Sequence, residues 1–567
     1  MGNVLLRPDR NVILQKNNGT VNFSNLTEKS TFYSNVKLPA ELLILNRYGI
    51  GYPYLKAAWK LSQKHQIEAF EVLIKTNIIS LQTWHEAQRM LAREREVEIT
   101  KRKKKALLLN QSIHNLSNTL PHYSAKNTFS TWQLIALLLS FLTMGWLIYT
   151  NNQNALLVCM MLLSVFYTAS ILLRGLLLAS FTPASHLTKE VIPTNDDFLP
   201  TYSVLVALYK EANQVEALTQ SLWQLDWPKH KLDIKLICEA DDYETIEAIL
   251  DAKLPPCFEL VQVTPAYPRT KPKALNYALP LCRGEYLVLY DAEDQPSPGQ
   301  LKEAYAKFLT EDEKLACLQA PLHIHNHHQT WLSAMFAIEY ITLFSGILPV
   351  LAKWNVPIPL GGTSNHFKTK ILKNIGAWDP YNVTEDADLG VRLFREGYRC
   401  STITQPTYEE APPEFIPWIK QRTRWLKGWM QTVLVHSRNP LHCLGDMGLK
   451  NMLAFHLLLT SIIISALIHP LFLGIIIWQL ISLGTPAAGG VDVLLVATSV
   501  FNLVGGYTTY GLLAYAVLKT SRYNSFSRLL FTFPFYWLLI SLAGWRAFVH
   551  LIVKPHEWEK TPHGLVK

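Results

Sequence analysis

The sequence predicts an α/β domain built on a parallel sheet, set between membrane-crossing helices and preceded by a small helical segment. Three observations carry this expectation. Strand-like and helix-like runs alternate from residue 201, long uncharged apolar runs lie on either side of residues 182–448, and helical periodicity fills residues 38–108. Strands alternating with helices are the pattern of a parallel sheet covered on both faces. The 567 residues are enough for three or four units. Charged residues make up only 17% and hydrophobic ones 49%, with a mean hydropathy of +0.10. That balance excludes a disordered or fibrous chain and assigns part of the apolar excess to lipid. A net charge of +9 over this length is too dilute for a nucleic-acid partner and suits a neighbour of an anionic membrane surface. The seven cysteines show no CxxC and no regular spacing, so reduced thiols are expected, without a disulfide framework or a zinc site.

Residues 1–36 are polar and Asn-rich, the composition of a loose tail, and residues 1–30 contain no apolar core of a secretory signal. Residues 37–129 are expected to form a helical cytoplasmic module. Ile78, Trp84, Ala87 and Leu91 recur at three- and four-residue spacing, and Ser80 is placed to cap the last helix. This stretch resembles the small helical N-terminal domain of type II secretion ATPases, which implies either a docking or regulatory module or a structural appendage. Residues 131–149 and 155–173 are uncharged, and each is long enough to cross an apolar slab of about 30 Å. The short polar link TNNQN between them forces an antiparallel hairpin. Apolar character returns at 452–483, 493–518 and 529–553; the first run is interrupted by His469-Pro470 and the last carries Arg546. The hairpin puts the N-terminal module and residues 182–448 on one side. The basic run Lys101–Lys105 and the basic loop with Lys519, Arg522 and Arg528 make that side the cytoplasmic face of the plasma (inner) membrane.

Within residues 182–440, YSVLVALY, DIKLICEA, FELVQVTPA and EYLVLYDAED read as strands, and VEALTQSLWQL and KALNYALPL as helices. In open sheets of this kind ligands bind beyond the carboxyl ends of the strands, and acids recur there. Tyr209-Lys210-Glu211 ends the first strand, Glu239-Ala240-Asp241-Asp242 the second, and Asp291-Ala292-Glu293-Asp294 the last. Any one cluster is compatible with a surface loop; three at strand ends point to chemistry. Carboxylate oxygens suit Mg²⁺ or Mn²⁺, which bridge protein acids to substrate phosphates and neutralise a diphosphate leaving group.

Downstream, Thr384-Glu385-Asp386 precedes a helix expected to begin near Asp388. Carboxylates gathered at a helix N-terminus either cap it or, beside an acceptor hydroxyl, take its proton during attack. Gln421, Arg424 and Trp425 fall three and four residues apart on one helix face, with Trp429 one turn further. The arginine suits a diphosphate and the indole a sugar ring, and the same helix also suits a membrane interface. His323, His325, His327 and His328 alternate and adjoin in a way that cannot turn all four to one ion, so no metal is expected there. Gly361 and Gly362 lack a following P-loop lysine and read as letting the backbone approach the acceptor. His456 and His550, inside spans, are expected to be satisfied by neighbours.

The order and spacing of Asp241-Asp242, DAED at 291–294, TED at 384–386 and QRTRW at 421–425 resemble the family 2 glycosyltransferases. The resemblance is to the membrane-embedded cellulose synthase and hyaluronan synthase branch. It implies a GT-A (Rossmann-like) domain between transmembrane segments, and metal-dependent, inverting hexosyl transfer from a nucleotide sugar, usually a UDP-sugar. Carried over by motif, Tyr209, Glu211, Asp241, Lys271 and Asp291 would line the nucleotide, and Asp291 and Glu293 would hold Mg²⁺ or Mn²⁺. Asp386, beside Thr384 and Glu385, would be the general base, and Gln421, Arg424 and Trp425 would cradle acceptor and diphosphate. Two departures leave choices open. Asp294 follows Glu293, so either carboxylate could meet the metal, and EADD lets Glu239 compete with Asp241 for the base.

The implied product is a β-linked polysaccharide, elongated processively and passed through the membrane. The implied partners are a UDP-sugar, the growing polysaccharide and the bilayer, with room for an accessory export or regulatory subunit and no nucleic acid. The tail KPHEWEKTPHG at 554–564 resembles the gating loops that close over the nucleotide in such synthases. A cytoplasmic tail requires either a break at His469-Pro470 or an incompletely crossing 529–553 segment. Two other readings compete: transfer of a single sugar to a lipid carrier, and a transporter or receptor with a nucleotide-binding domain, which would need no TED acid.

Overall fold

The computed structural model describes residues 16–17, 20–21, 38–65, 68–150, 153–183, 198–482, 490–521 and 523–559. Most of the expected N-terminal tail, Arg522 and the part of the C-terminal tail from residue 560 lie outside the described residues. The chain divides into two compact units, residues 1–107 and 108–567.

The first unit packs α1 (Tyr52–His65), α2 (Ala69–Lys75) and the first part of α3 (Leu81–Thr119) around Leu45, Leu55, Leu73 and Ala87. Ser80 accepts from the Thr83 N–H at 3.0 Å, the cap its sequence position suggests. Trp84 stacks on Phe70 with ring centroids 4.7 Å apart.

The second unit is built on a seven-stranded sheet. Its strands are β1 (Tyr202–Leu208), β2 (Leu232–Glu239), β3 (Phe258–Val263), β4 (Tyr286–Tyr290), β6 (Leu315–Gln319), β8 (Asn365–Lys368) and β9 (Arg399–Thr402). The order is β9-β6-β8-β4-β1-β2-β3. Nearly every residue of β1, β2 and β4 is buried, because helices cover both faces and the strands can be apolar throughout. Helices Val215–Trp223, Tyr243–Asp251 and Gln300–Thr310 pack on one face. On the other lie α6 (Lys271–Ala278), α7 (Trp331–Ile341) and α8 (Glu385–Arg395). A small second sheet, order β5-β10-β7, joins Gln295–Pro296, Thr407–Glu409 and Leu322–Ile324.

The main sheet is mixed rather than parallel throughout, since β8 runs antiparallel to both β4 and β6. Four residues are too few to carry a periodicity signal, which is why β8 escapes a sequence reading. The chain reaches it through Ser364, at φ +58°, and there reverses direction.

The apolar helices that flank the sheet are α4 (Thr131–Tyr149), α5 (Gln153–Ser180), α10 (Pro440–Phe455), α11 (Ser461–Ser482), α12 (Gly490–Lys519) and α13 (Phe533–Val553). Among the described residues five helices are long and apolar enough to cross a membrane: 131–149, 158–180, 331–353, 440–470 and 525–553. The third falls inside the stretch that looked polar, and 72% of its apolar window is buried in the protein. Helix α11 continues through Pro470, so His469-Pro470 does not break it.

Both flanks of α13 meet the α/β domain. Ahead of it, Tyr523 Oη donates to Ile324 O at 2.9 Å, and Trp331 Nε1 donates to Thr532 Oγ1 at 2.9 Å. Behind it, Lys427 Nζ donates to Glu557 O at 2.8 Å and Gln431 Nε2 to Pro555 O at 3.1 Å.

Candidate active site

A cavity of about 540 Å³ opens beyond the carboxyl ends of β1, β2 and β4 and runs beneath α8 and α9 (Phe415–His436). At the β1 end, Tyr209 and Glu211 line it. The turn there depends on Lys210, held at φ +55° with its N–H donating to Asp242 Oδ2 at 2.5 Å, while the Glu211 N–H donates to Thr245 Oγ1 at 3.1 Å. At the β2 end, Glu239 lines the cavity and pairs with the fully buried Lys273 at 2.5 Å. Burial raises the Glu239 pKa against the pull of Lys273, and its Oε2 has no partner in the protein. Asp241 stands outside the lining, exposed and paired with Arg269 at 2.5 Å; that bond holds its pKa below the usual range. Expected to line the nucleotide, Asp241 instead belongs to the rim, and the wall position falls to Glu239. Two residues past the strand end the chain is already turning outward into the next helix.

At the β4 end, Asp291 and Glu293 face the cavity, whereas Asp294 points into the protein. Asp294 Oδ2 accepts from the Asp291 N–H at 2.7 Å and from Thr363 Oγ1, so it braces the loop from behind. Burial, then the charges of Asp291 and Glu293, push its pKa far above the carboxylate range. Lys271, first residue of α6, pairs with Asp291 and donates to Gly362 O at 2.6 Å. Burial opposes its charge, but Asp291, Asp386 and Glu385 outweigh burial and raise its pKa. Glu409 of β10 adds a carboxylate with an unpartnered Oε1; burial and then Asp294, Glu293 and Asp291 push its pKa up.

Among the described residues no group of three or more His, Cys, Asp or Glu side chains converges as a ready metal site. His327 is instead taken up by Ile324 O at 2.9 Å and by the rings of Tyr523 and Phe526. Asp291 and Glu293 still fit a small hard cation, which typically takes one or two protein carboxylates and completes its shell with phosphate and water. The ammonium of Lys271 already stands against Asp291, the kind of charge that carboxylate demands.

Helix α8 begins at Glu385, three residues earlier than expected, with Thr384 (φ −132°, ψ 63°) in the cap position. Asn382 Oδ1 accepts from the Thr384 N–H at 3.0 Å and fixes that start. The TED acids therefore sit in and at the first helical turn rather than before it. Thr384, Glu385 and Asp386 all line the cavity, and Glu385 Oε1 and Asp386 Oδ1 are buried without partners. Burial pushes the Glu385 pKa to about 7 against the pull of Lys271. Asp386 is driven well above the carboxylate range by burial and then by Glu385.

Gln421, Arg424 and Trp425 of α9 complete the wall. Helix α9 can approach so closely because residue 428 is glycine; a Cβ there would lie 2.3 Å from Thr384 Oγ1. Beneath, Asp388 accepts from His436 Nε2 at 3.1 Å and from Arg392 at 3.3 Å, a buried tie between α8 and α9. Trp425 stacks on Tyr340 at 5.8 Å, and the Arg424 guanidinium lies 4.4 Å over the ring of Trp558 from the C-terminal tail.

The cavity also contains residues the motifs did not single out: Arg269, Glu409, Glu410, Glu339 and Tyr340. Trp558 lines it as well, and it alone had a local signal, in the WEKT of the tail. Glu409 comes from a short edge strand with no pattern of its own.

Residues 200–428 match the family model described as glycosyltransferase like family 2. Over 240 residues the chain is 25% identical to "Probable glycosyltransferase YdaM" of Bacillus subtilis, covering 42% of this chain and 57% of that protein. It is 26% identical over 272 residues to "Cellulose synthase 1 catalytic subunit [UDP-forming]" of Komagataeibacter xylinus, covering 47% of this chain and 35% of that protein. The similarity thus spans about a third to three-fifths of these relatives. Among solved structures, the mannosyltransferase PcManGT of Pyrobaculum calidifontis, in complex with GDP-Man and Mn²⁺, aligns with a TM-score of 0.44 at 17% identity, over 70% of this chain and 98% of that one. The matched stretch, from just before β1 into α9, is thus similar to glycosyltransferase family 2 domains, that of a cellulose synthase catalytic subunit among them, and apolar helices flank it.

Proposed function

We propose that this glycosyltransferase is an inverting, metal-dependent, membrane-embedded enzyme that uses a UDP-sugar to elongate a β-linked polysaccharide processively and pass it through the membrane. In this reading the catalytic domain lies on the cytoplasmic face of the plasma membrane. One observation carries it: Asp386, buried with an unpartnered oxygen, lines the same cavity as Asp291, Glu293, Lys271 and Arg424. The UDP-forming cellulose synthase among its relatives supports the choice of donor.

Tyr209, Glu211 and Glu239 would hold the nucleotide, with Asp241 and Arg269 at its rim. Asp291 and Glu293 would hold Mg²⁺ or Mn²⁺, which when bound offsets the charge of the diphosphate. Lys271 and Arg424 add fixed positive charge at the same place, preorganised before the sugar arrives. An acceptor hydroxyl steered by Gln421 and Trp425 attacks the anomeric carbon in line. The new C–O bond forms as the bond to the diphosphate breaks, UDP departs, and the hydroxyl proton passes to Asp386. Inversion of an α-linked donor gives a β-linked product. The tail is read as a cover: Trp558 rests on Arg424, and Lys427 and Gln431 hold the backbone of residues 554–557 just before it.

Membranes containing the full chain, incubated with labelled UDP-glucose, UDP-N-acetylglucosamine and other UDP-sugars, test this by the size of the product. Insoluble polymer is the expected outcome. A product of one sugar on a lipid removes processivity, and no turnover with any donor removes the catalytic assignment.

A further inference from the structure

Glu409 lines the catalytic cavity without belonging to any of the sequence motifs. Backbone pairing fixes its place. Tyr408 pairs antiparallel with Gln295, the residue that follows Asp294, so Glu409 comes next to the loop that carries Asp291 and Glu293. Glu409 O accepts from the His325 N–H at 3.0 Å. Two residues further, Ala411 donates its N–H to Asn326 Oδ1 at 2.9 Å, and Ala411 O accepts from Asn326 Nδ2 at 2.8 Å. His325 and Asn326 belong to the histidine-rich run, which here clamps the strand. A side chain on so firmly held a backbone has a defined direction.

That direction is into the cavity, where Oε1 of Glu409 is buried with no hydrogen-bond partner in the protein. Lys271 acts on it from a distance, yet Lys271 is committed to Asp291 and to Gly362 O. A carboxyl retained for structure alone would be paired, because a buried oxygen left without a partner is expensive. The charges that act most on Glu409 are those of Asp294, Glu293 and Asp291. Tyr340 of α7 is acted on in turn by Glu409 and Arg424, and its ring stacks on Trp425. Glu409 therefore borders the space between the β4 acids and the Tyr340–Trp425 pair. A sugar hanging from a diphosphate at Asp291 and Glu293 enters that space, since one oxygen links its anomeric carbon to phosphorus. Phosphate itself would meet a surplus of negative charge beside Glu409. A metal would need Glu409 to converge with Asp291 and Glu293, and among the described residues no three such groups do. A hydroxyl suits the carboxyl in either protonation state, because it both donates and accepts.

We propose that Glu409 is a specificity-determining residue that holds a ring hydroxyl of the donor hexose, so that the enzyme selects a fully hydroxylated hexose over a deoxyhexose. The assignment rests on the glycosyl-transfer reading. The hydroxyl it holds does not react, so the contact is measurable by binding alone. A site built to hydrogen-bond a hydroxyl rejects the analogue that lacks it far more sharply than an apolar pocket rejects an added group.

The test is equilibrium competition against labelled UDP on the full chain in neutral detergent with Mn²⁺. The competitors are UDP-glucose, its 2-, 3-, 4- and 6-deoxy forms, and UDP. One deoxy form should bind about tenfold or more weakly than UDP-glucose. Glu409→Met should weaken UDP-glucose to the level of that form and leave the deoxy form and UDP within about threefold. Glu409→Gln, which still donates and accepts, should restore part of the gap. Equal affinities for all five sugars in the unaltered chain overturn the proposal, as does an unchanged gap in Glu409→Met. A tenfold loss of UDP or Mn²⁺ affinity in Glu409→Met gives the carboxyl to the diphosphate or the metal and also overturns it. Absence of UDP binding in the unaltered chain overturns the glycosyl-transfer reading, and this assignment with it.

Discussion

Two groups of acids border the cavity, and they differ in how they are satisfied. After β2, Asp241 meets Arg269, Asp242 accepts a backbone N–H, and Glu239 meets Lys273 through one oxygen, so that only its Oε2 is left without a partner. At the start of α8, Glu385 and Asp386 each keep a buried oxygen with no partner in the protein. Buried polar groups left unpaired are expensive, so a fold retains them where a ligand completes them. Paired acids shape a wall; unpaired acids await chemistry. The β4 acids combine both conditions: Asp294 braces the loop, and Asp291 and Glu293 face the open space.

The sharpest way to break this contrast is Asp386→Asn, which keeps the shape and removes the base. Turnover should fall about 10³-fold, within the range of general-base catalysis, with UDP binding unchanged. Substantial residual transfer would contradict the role. Next, Asp291→Asn or Glu293→Gln should cost about 10²-fold and lower the apparent affinity for Mn²⁺, while Asp294→Asn should act through loop stability instead. Titration with Mn²⁺ at fixed donor separates the two cases.

The unpaired group should also govern the pH profile. Glu385 is pushed to about 7 and Asp386 well above the carboxylate range, first by burial. A carboxyl with a raised pKa is protonated below it and cannot accept a proton. Transfer should therefore rise with pH through neutrality, and a profile flat from pH 5 to 8 would rule Asp386 out as base. Trp558→Ala removes the ring beneath Arg424 and should raise the donor KM about tenfold, in line with a desolvated cation–π contact. The smallest effect belongs to the paired, exposed rim. Asp241→Asn should change the donor KM by less than about threefold, since exposed ion pairs contribute little. A loss as large as that of Asp386→Asn would erase the distinction between the two groups.

What the sequence disclosed follows from range. The strands β1, β2 and β4 are continuous apolar runs, and the acids after them sit at strand ends that local pattern locates. Gln421, Arg424 and Trp425 share a face through helical spacing alone. What it withheld depends on distant encounters. The antiparallel β8 has four residues and no pattern, Glu409 comes from a strand paired with segments some eighty residues or more away, and whether Asp241 or Glu239 faces inward depends on Arg269 and Lys273. Helix α8 starts three residues before Asp388 because Asn382, not a residue of the TED motif, fixes the first turn. The membrane segments were legible from hydropathy, apart from Trp331–Lys353, whose apolar length serves the protein interior.

The absent side chain at Gly428 has a mechanical corollary. Helix α9 rests directly on Thr384 there, and one and a half turns earlier Arg422 is bonded to Tyr536 of α13, a helix bathed partly in lipid. Two rigid rods in contact transmit a tilt with little loss, so a tilt of α13 would reach the acid beside Thr384 through α9.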